Sequence, residues 1–191
     1  MILLVFFSPE KMHFFEFVKP VQDIVKACGK KCSAKHYSEI TAKDVEKAEK
    51  IILCGTSLRD TAYLNNLEKF SFLKKFRKPV LGICAGMQVI AEVFSCGLEK
   101  CAEIGLVKIE FEKNFLGAEG IQEVFELHNF GVKDSAKLRE IFDVYAETGT
   151  VQAFMHRWKP FYGVLFHPEV RQKGLIQNFV GAPQEVSRLN G

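Results

Sequence analysis

The run Pro79-Val80-Leu81-Gly82-Ile83-Cys84-Ala85-Gly86-Met87-Gln88-Val89-Ile90-Ala91 limits what this chain can fold into more than any other stretch. A Pro-led apolar segment of strand length enters a Gly-x-Cys-x-Gly turn. Met87, Ile90, Ala91 and Phe94 leave that turn at helical spacing, with Gln88, Glu92 and Ser95 polar between them. The predicted order is strand, sharp turn, helix. Such a turn lifts one side chain above the strand ends, on strained backbone, with a helix N-terminus aimed at it. Helix-terminal N–H groups favour a thiolate over a thiol, which makes Cys84 a candidate nucleophile. A buried cysteine between two packing glycines is the alternative that this stretch alone leaves open.

A nucleophilic cysteine needs a base, and the base needs a group to orient it. The strong candidate lies downstream, in Tyr162-Gly163-Val164-Leu165-Phe166-His167-Pro168-Glu169. An apolar strand, read as Phe161 to Phe166, ends at His167. Pro168 stops the ladder, and the Glu169 carboxylate lies within reach of the far imidazole nitrogen. By itself a histidine after a strand is a surface or capping residue; beside a cysteine elbow it becomes the base.

The rest of the chain supplies a fold for these motifs. Ile2 to Phe7 is a continuous apolar run, as in a strand buried on both faces of a parallel sheet. Phe14, Phe17, Val18, Val21, Ile24, Val25 and Cys28 mark a helix over 12–27, kinked or started late by Pro20. Cys32 to Tyr37 is a weaker strand, and Thr41 to Asp44 resembles a capping box opening a short helix to about Lys47. Lys50 to Gly55 is a third strand with its terminal turn. Leu64, Leu67, Phe70, Leu73 and Phe76 line one face of an amphipathic helix. Strands alternating with helices predict an α/β, doubly wound, mostly parallel sheet of flavodoxin-like type with flanking helices, its site outside the carboxyl ends of the strands. After Cys101 the pattern changes. Residues 105–112, 121–127, 142–146, 151–154 and 161–166 read as short strands added antiparallel at one side, and 174–180 as a closing helix. With 191 residues and neither linker nor repeat, residues 1–191 read as a single domain.

Composition excludes some functions. The net charge of +3 is spread along the chain, so no nucleic-acid footprint is expected. No apolar run approaches transmembrane length, and Met1 to Phe7 lacks the basic region and cleavage site of a signal peptide, so no membrane partner and a cytoplasmic location are expected. Cys28/Cys32 and Cys96/Cys101 have no histidine at finger spacing, so no metal is expected. Reduced thiols are the simpler account, with either pair open to a disulfide.

The segments Gly82-Ile83-Cys84-Ala85-Gly86-Met87-Gln88 and Phe166-His167-Pro168-Glu169 resemble the class I, or triad, glutamine amidotransferases, over roughly Ile51 to Phe179. The resemblance implies hydrolysis of L-glutamine with no cofactor, with Cys84 as nucleophile, His167 as base and Glu169 as its orienter. An oxyanion needs preorganised N–H donors. The backbone of Ala85 and of the turn Cys54-Gly55-Thr56-Ser57 are the candidates. The family usually has a second glycine where Thr56 stands, and an L-residue there is uncomfortable at positive φ, so the hole is open to question until a partner or substrate binds. The resemblance also implies that Gln88, one helical turn past Cys84, and His128, Asn129 and Phe130 hold the glutamine. A plain turn between strands is the alternative for the last three. His156 resembles a position near the acceptor-side surface, whereas His13 and His36 have no partner in the pattern and read as surface residues.

Glu103 to Gly105, Val151 to Arg157 and Lys159 to Val164 resemble the separate glutaminase subunits of GMP synthase within that family. Ser8-Pro9-Glu10 in place of the family's strand-end aspartate, and Leu165 in place of its glutamine, depart from that pattern. The chain has no Gly-x-x-x-x-Gly-Lys-Ser/Thr loop. An ATP-dependent synthetase on a separate chain is therefore the expected partner, docked near Gly55 to Asp60 and His156 to Trp158. A core position is the alternative for Trp158. A stand-alone γ-glutamyl hydrolase or peptidase, or a catalytically silent regulatory relative, are the competing readings.

Overall fold

The computed structural model describes residues 1–182. β1 (Ile2–Phe6) is apolar and almost wholly buried. The helix expected over 12–27 is formed, running from Lys11 to Ala27 as α1 (Lys11–His13), a π-helical turn Phe14–Val18, and α2 (Lys19–Ala27). Pro20 accounts for the π turn. It lies in the first turn of α2, where a missing N–H costs nothing, and the wider π turn absorbs the register before it. β2 (Cys32–His36) and a 3₁₀ turn follow, then α3 (Ala42–Lys47). The capping box at α3 is formed: Asp44 N–H donates to Thr41 Oγ1 at 3.3 Å, and Thr41 N–H donates to Asp44 Oδ2 at 2.9 Å.

β3 (Lys50–Leu53) leads to two 3₁₀ segments, Ala62–Asn65 and Leu67–Lys74, where an amphipathic α-helix is predicted. The spacing explains the difference. Leu64, Leu67, Phe70, Leu73 and Phe76 recur every third residue, the 3₁₀ period, and Phe70, Leu73 and Phe76 are buried. β4 (Val80–Ile83) and α4 (Ala85–Val93) form the strand and helix of the elbow. Next come β5 (Leu98–Phe115) and β6 (Ala118–Val132), two strands of one long hairpin, each longer than its predicted span. α5 (Ala136–Ile141), β7 (Phe142–Glu147), β8 (Val151–His156), β9 (Phe161–Val164) and α6 (Lys173–Gly181) complete the order. β9 stops two residues short of Phe166, because after Val164 the chain bends toward the site.

Among the described residues nine strands form one sheet in the order β2-β1-β3-β4-β9-β8-β6-β5, with β7 paired to β8. β2 through β9 of that order are parallel; the pairs β8–β9, β6–β8, β5–β6 and β7–β8 are antiparallel. This is the expected α/β architecture of a mostly parallel sheet with antiparallel additions, but β9, expected among those additions, lies parallel beside β4 and is antiparallel only to β8. One apolar core covers each face, one built on Leu3, Leu53, Phe70 and Met87, the other on Leu4, Ile52, Leu81 and Phe166. Two buried lysines close segment ends. Lys50 Nζ donates to the carbonyls of Phe179, Val180 and Ala182 at the end of α6, and Lys159 Nζ to those of Leu73, Lys74 and Phe76. Burial and the Arg77 charge push Lys159 down to about 8. No helix of the described residues is long and apolar enough to cross a membrane.

Candidate active site

The carboxyl ends of β1, β3, β4 and β9 bring Ser8, Gly55, Cys84 and His167 to one edge of the sheet, where parallel α/β folds place ligands. Cys84 sits between β4 and α4 at φ 49° and ψ −105°, a conformation that costs an L-residue about 1–3 kcal/mol. Its N–H donates to Val164 O at 2.8 Å, which ties the elbow to β9. The flanking glycines are required by close approach. A Cβ on Gly82 would meet the Gly86 carbonyl at 2.6 Å, and one on Gly86 would meet Leu53 O at 2.2 Å. The helix therefore starts against the strands with no room for a side chain, and the strained residue left between the glycines is the cysteine.

Cys84 and His167 interact electrostatically, and both are buried. His167 Nδ1 is 2.8 Å from Glu169 Oε1, and both side chains are 1% exposed. His167 N–H donates to Phe125 O at 2.8 Å, and the Phe17 ring packs on the imidazole with centroids 5.5 Å apart. Burial alone would depress this imidazole. The Glu169 carboxylate and the Cys84 sulfur outweigh it and raise the pKa well above the ordinary histidine value, which keeps the ring protonated beside the sulfur.

The Gly55-Thr56 turn lies under the His167 ring. Neither residue has positive φ, so the expected strain at Thr56 is not there. The hydroxyl is used instead: Thr56 Oγ1 and Ser57 Oγ each donate to Asp60 Oδ2 at 2.9 Å. Asp60 also meets His13 Nδ1 at 2.8 Å, and Ser8 Oγ is 2.8 Å from the same nitrogen. Burial raises Asp60, but the hydroxyls of Thr56, Ser57 and Ser8 with the His13 ring hold it below the ordinary carboxylate value. His13 is thus no isolated surface residue. His36 also has partners, its Nε2 lying 3.0 Å from Phe7 O.

A small cleft beside Cys84 is lined by Ala85, Gln88, Thr56, Tyr63, Leu127 and Asn129 among others. Gln88 is buried and fixed at both ends. Its Oε1 accepts a short hydrogen bond from Tyr63 Oη, and its Nε2 donates to Phe130 O at 2.7 Å. His128, Asn129 and Phe130 lie within β6 rather than in a turn. The Asn129 side chain donates to Leu58 O at 3.1 Å, joining the hairpin to the loop after β3. The His128 side chain is buried: Nδ1 lies 2.7 Å from Cys101 O and Nε2 lies 3.0 Å from Glu126 Oε2. The Cys84 thiol donates to Leu127 O at 3.5 Å. Sequence reasoning missed Tyr63, Leu127 and the His13–Asp60 pair. For Tyr63 a signal existed, a polar-tipped aromatic immediately before the apolar period of three that starts at Leu64.

His156 is 4% exposed, boxed by Phe94, Phe142, Phe161 and Trp158. Burial and the Lys159 and Arg77 charges push it down to about 4, and its Nδ1 accepts from Trp158 N–H. Trp158 itself is 65% exposed, not core. All six cysteines are free thiols. No group of three or more His, Cys, Asp or Glu positioned to hold a metal occurs among the described residues.

The sequence matches the family described as Glutamine amidotransferase class-I across residues 15–180. The A subunit of GMP synthase (glutamine-hydrolyzing) from Pyrococcus furiosus is 40% identical over 124 residues, 61% of this chain and 63% of that protein's length. Its counterpart from Pyrococcus abyssi is 37% identical over 137 residues, 65% of this chain and 70% of its own. A crystal structure of a GMP synthase A-subunit protein from Thermoplasma acidophilum superposes with a TM-score of 0.81 at 22% identity, covering 95% of this chain and 92% of that one. A glutamine amidotransferase from Thermotoga maritima gives 0.71 at 16% identity, covering 95% and 99%. At those identities the two solved structures share the fold.

Proposed function

Because the chain belongs to the class-I glutamine amidotransferases, we propose that it hydrolyses L-glutamine through Cys84, His167 and Glu169 and passes the ammonia to an ATP-dependent synthetase on a separate chain. One observation carries the chemistry: a cysteine strained into the elbow at the start of α4 interacts electrostatically with a buried histidine, whose other ring nitrogen is held by a buried carboxylate. The Cys84 thiolate attacks the γ-carboxamide carbon. The N–H groups of Ala85 and of the Gly55-Thr56 turn receive the oxyanion. The tetrahedral intermediate collapses as the His167 imidazolium gives its proton to the leaving nitrogen, releasing ammonia and leaving a γ-glutamyl thioester. His167, now neutral, takes a proton from water, whose oxygen attacks the thioester carbon. The C–S bond breaks, and glutamate and the thiolate are regenerated.

Gln88, held between Tyr63 and Phe130, and the β6 backbone from His128 to Phe130 form the wall that receives the glutamine amino-acid end. The likeness to the A subunits of GMP synthase supports a synthetase of that kind as the partner, with the exposed Trp158 as an anchor of the docking surface. The test is glutamate release by the isolated protein, by Cys84→Ala, and by the protein mixed with a GMP synthetase, ATP and acceptor. Slow basal turnover, lost in Cys84→Ala and raised by the synthetase, is the expected result. Fast turnover unchanged by any synthetase would favour the stand-alone γ-glutamyl hydrolase, and no turnover in any mixture would favour the silent relative.

A further inference from the structure

Resting on the glutaminase reading, we propose that His13 is a positioning residue for the oxyanion turn, acting through Asp60. The segment from Cys54 to Asp60 has no regular structure. Its own backbone contributes one hydrogen bond, from Asp60 N–H to Ser57 O at 3.1 Å. Besides the Asn129 side chain on Leu58 O, what shapes it is the Asp60 carboxylate, whose Oδ2 gathers the hydroxyls of Thr56 and Ser57. That carboxylate is itself anchored from outside the loop, by His13 Nδ1 at 2.8 Å, with Ser8 Oγ against the same nitrogen. An ionised carboxylate only accepts, so Nδ1 carries the proton and points it at Asp60.

The anchor belongs to the site because of where its segment goes. His13 precedes the π turn Phe14–Val18, and that turn also carries Phe17, whose ring packs on His167 and lies 6.2 Å from the His13 ring. One short segment therefore touches the base with one side chain and holds the oxyanion turn with another. Donors to a developing oxyanion work only when held within about 0.5 Å of the productive place, and that precision comes from supporting contacts. His13 supplies such a contact without touching the reacting atoms.

The test compares His13→Ala and His13→Asn with the wild type. It reads kcat, KM, alkylation of Cys84 by iodoacetamide, and amide hydrogen exchange at residues 55–57. In His13→Ala, kcat falls about 10- to 100-fold, short of the loss of a whole oxyanion donor, while KM stays within about twofold. Alkylation stays within about twofold, since it needs the thiolate and not the hole. Exchange at 55–57 speeds up about tenfold as the turn loosens. Asn recovers kcat to within about threefold of wild type, because its amide N–H can donate to Asp60. Unchanged kcat in His13→Ala, alkylation falling in parallel with kcat, or Asn no better than Ala would each overturn the assignment. If the wild type hydrolyses no glutamine, the glutaminase reading fails, and the exchange result alone decides the clamp: unchanged exchange refutes it.

Discussion

Gly55→Ala should disable the enzyme through one methyl group. A Cβ at Gly55 would stand 2.5 Å from His167 Cε1 and 3.0 Å from Nδ1. Ordinary carbon–carbon contact begins near about 3.5 Å, so ring and turn must separate by roughly 1 Å. The turn is pinned where it begins, by Cys54 N–H to Val5 O at 2.9 Å, so the ring takes up most of the displacement. A shift of that size stretches the 2.8 Å contact between Nδ1 and Glu169 beyond hydrogen-bond range. Misplacement of a reacting group by about 1 Å costs on the order of 100-fold in rate, or about 2.7 kcal/mol in the barrier. Overpacking adds about 1–3 kcal/mol of destabilisation. Backbone conformation contributes nothing, because Gly55 is not at positive φ. The assay is kcat for glutamate release with Tm measured alongside, and with Gly174→Ala as control, where a Cβ meets nothing within 4 Å. Near wild-type kcat in Gly55→Ala, with Tm unchanged, would refute the reasoning.

Cys84→Ala should abolish hydrolysis and keep the fold by circular dichroism. Cys84→Gly should be equally inactive yet melt no lower than Cys84→Ala, because at φ 49° relief of strain offsets glycine's extra unfolded-state freedom. Glu169→Ala should lose less kcat than His167→Ala, since orientation is partly recoverable and the base is not; equal losses would mean exchanged roles. Glu169→Gln tests the linkage by denaturant unfolding at several pH values. A raised histidine pKa stabilises the fold fully below the unfolded value of 6.5 and loses that contribution as pH climbs through the folded value, so the deficit of the Gln variant should be largest near pH 6 and shrink at alkaline pH. Tyr63→Phe should cost about 1–3 kcal/mol by leaving Gln88 Oε1 buried without its donor, and should raise KM for glutamine more than it lowers kcat.

How much can be read from the sequence depends on how local the cause is. The elbow is encoded in adjacent residues, glycines where Gly86 crowds Leu53 and a cysteine between them, so its form is legible. The buried parallel strands are legible as apolar runs. The amphipathic stretch from Leu64 misleads because a period of three lies close to the 3.6 residues per turn of an α-helix; the count itself distinguishes the two. The hairpin is longer than its pattern suggests because Glu99, Lys100, Glu126 and His128 look like loop chemistry inside strands. His13 and Asp60 are hidden for a different reason. Each is an ordinary polar residue in its own neighbourhood, and only the parallel pairing of β1 with β3 brings them together. The burial of His156 is equally non-local, since nothing in sequence hints that Phe94, Phe142 and Phe161 close around it.

The attachment of β6 has a consequence for how the protein fails when heated. β6 joins β8 at a single register pair, Val132 with Val151, yet it supplies the carbonyls that receive Cys84, Gln88 and the His167 N–H. The wall of the cleft is thus tied to the rest of the sheet by one backbone pair and otherwise by side chains, with Phe111 and Phe115 of its hairpin packed on Phe166 and Tyr162, while the nucleophile and base stand on strands buried in the middle of the sheet. A wall with so short a backbone ladder to its neighbour opens at lower free energy than the strands in the middle of the sheet. Activity should then vanish reversibly several degrees below the temperature at which the sheet melts, and cooling from that interval should return it without refolding.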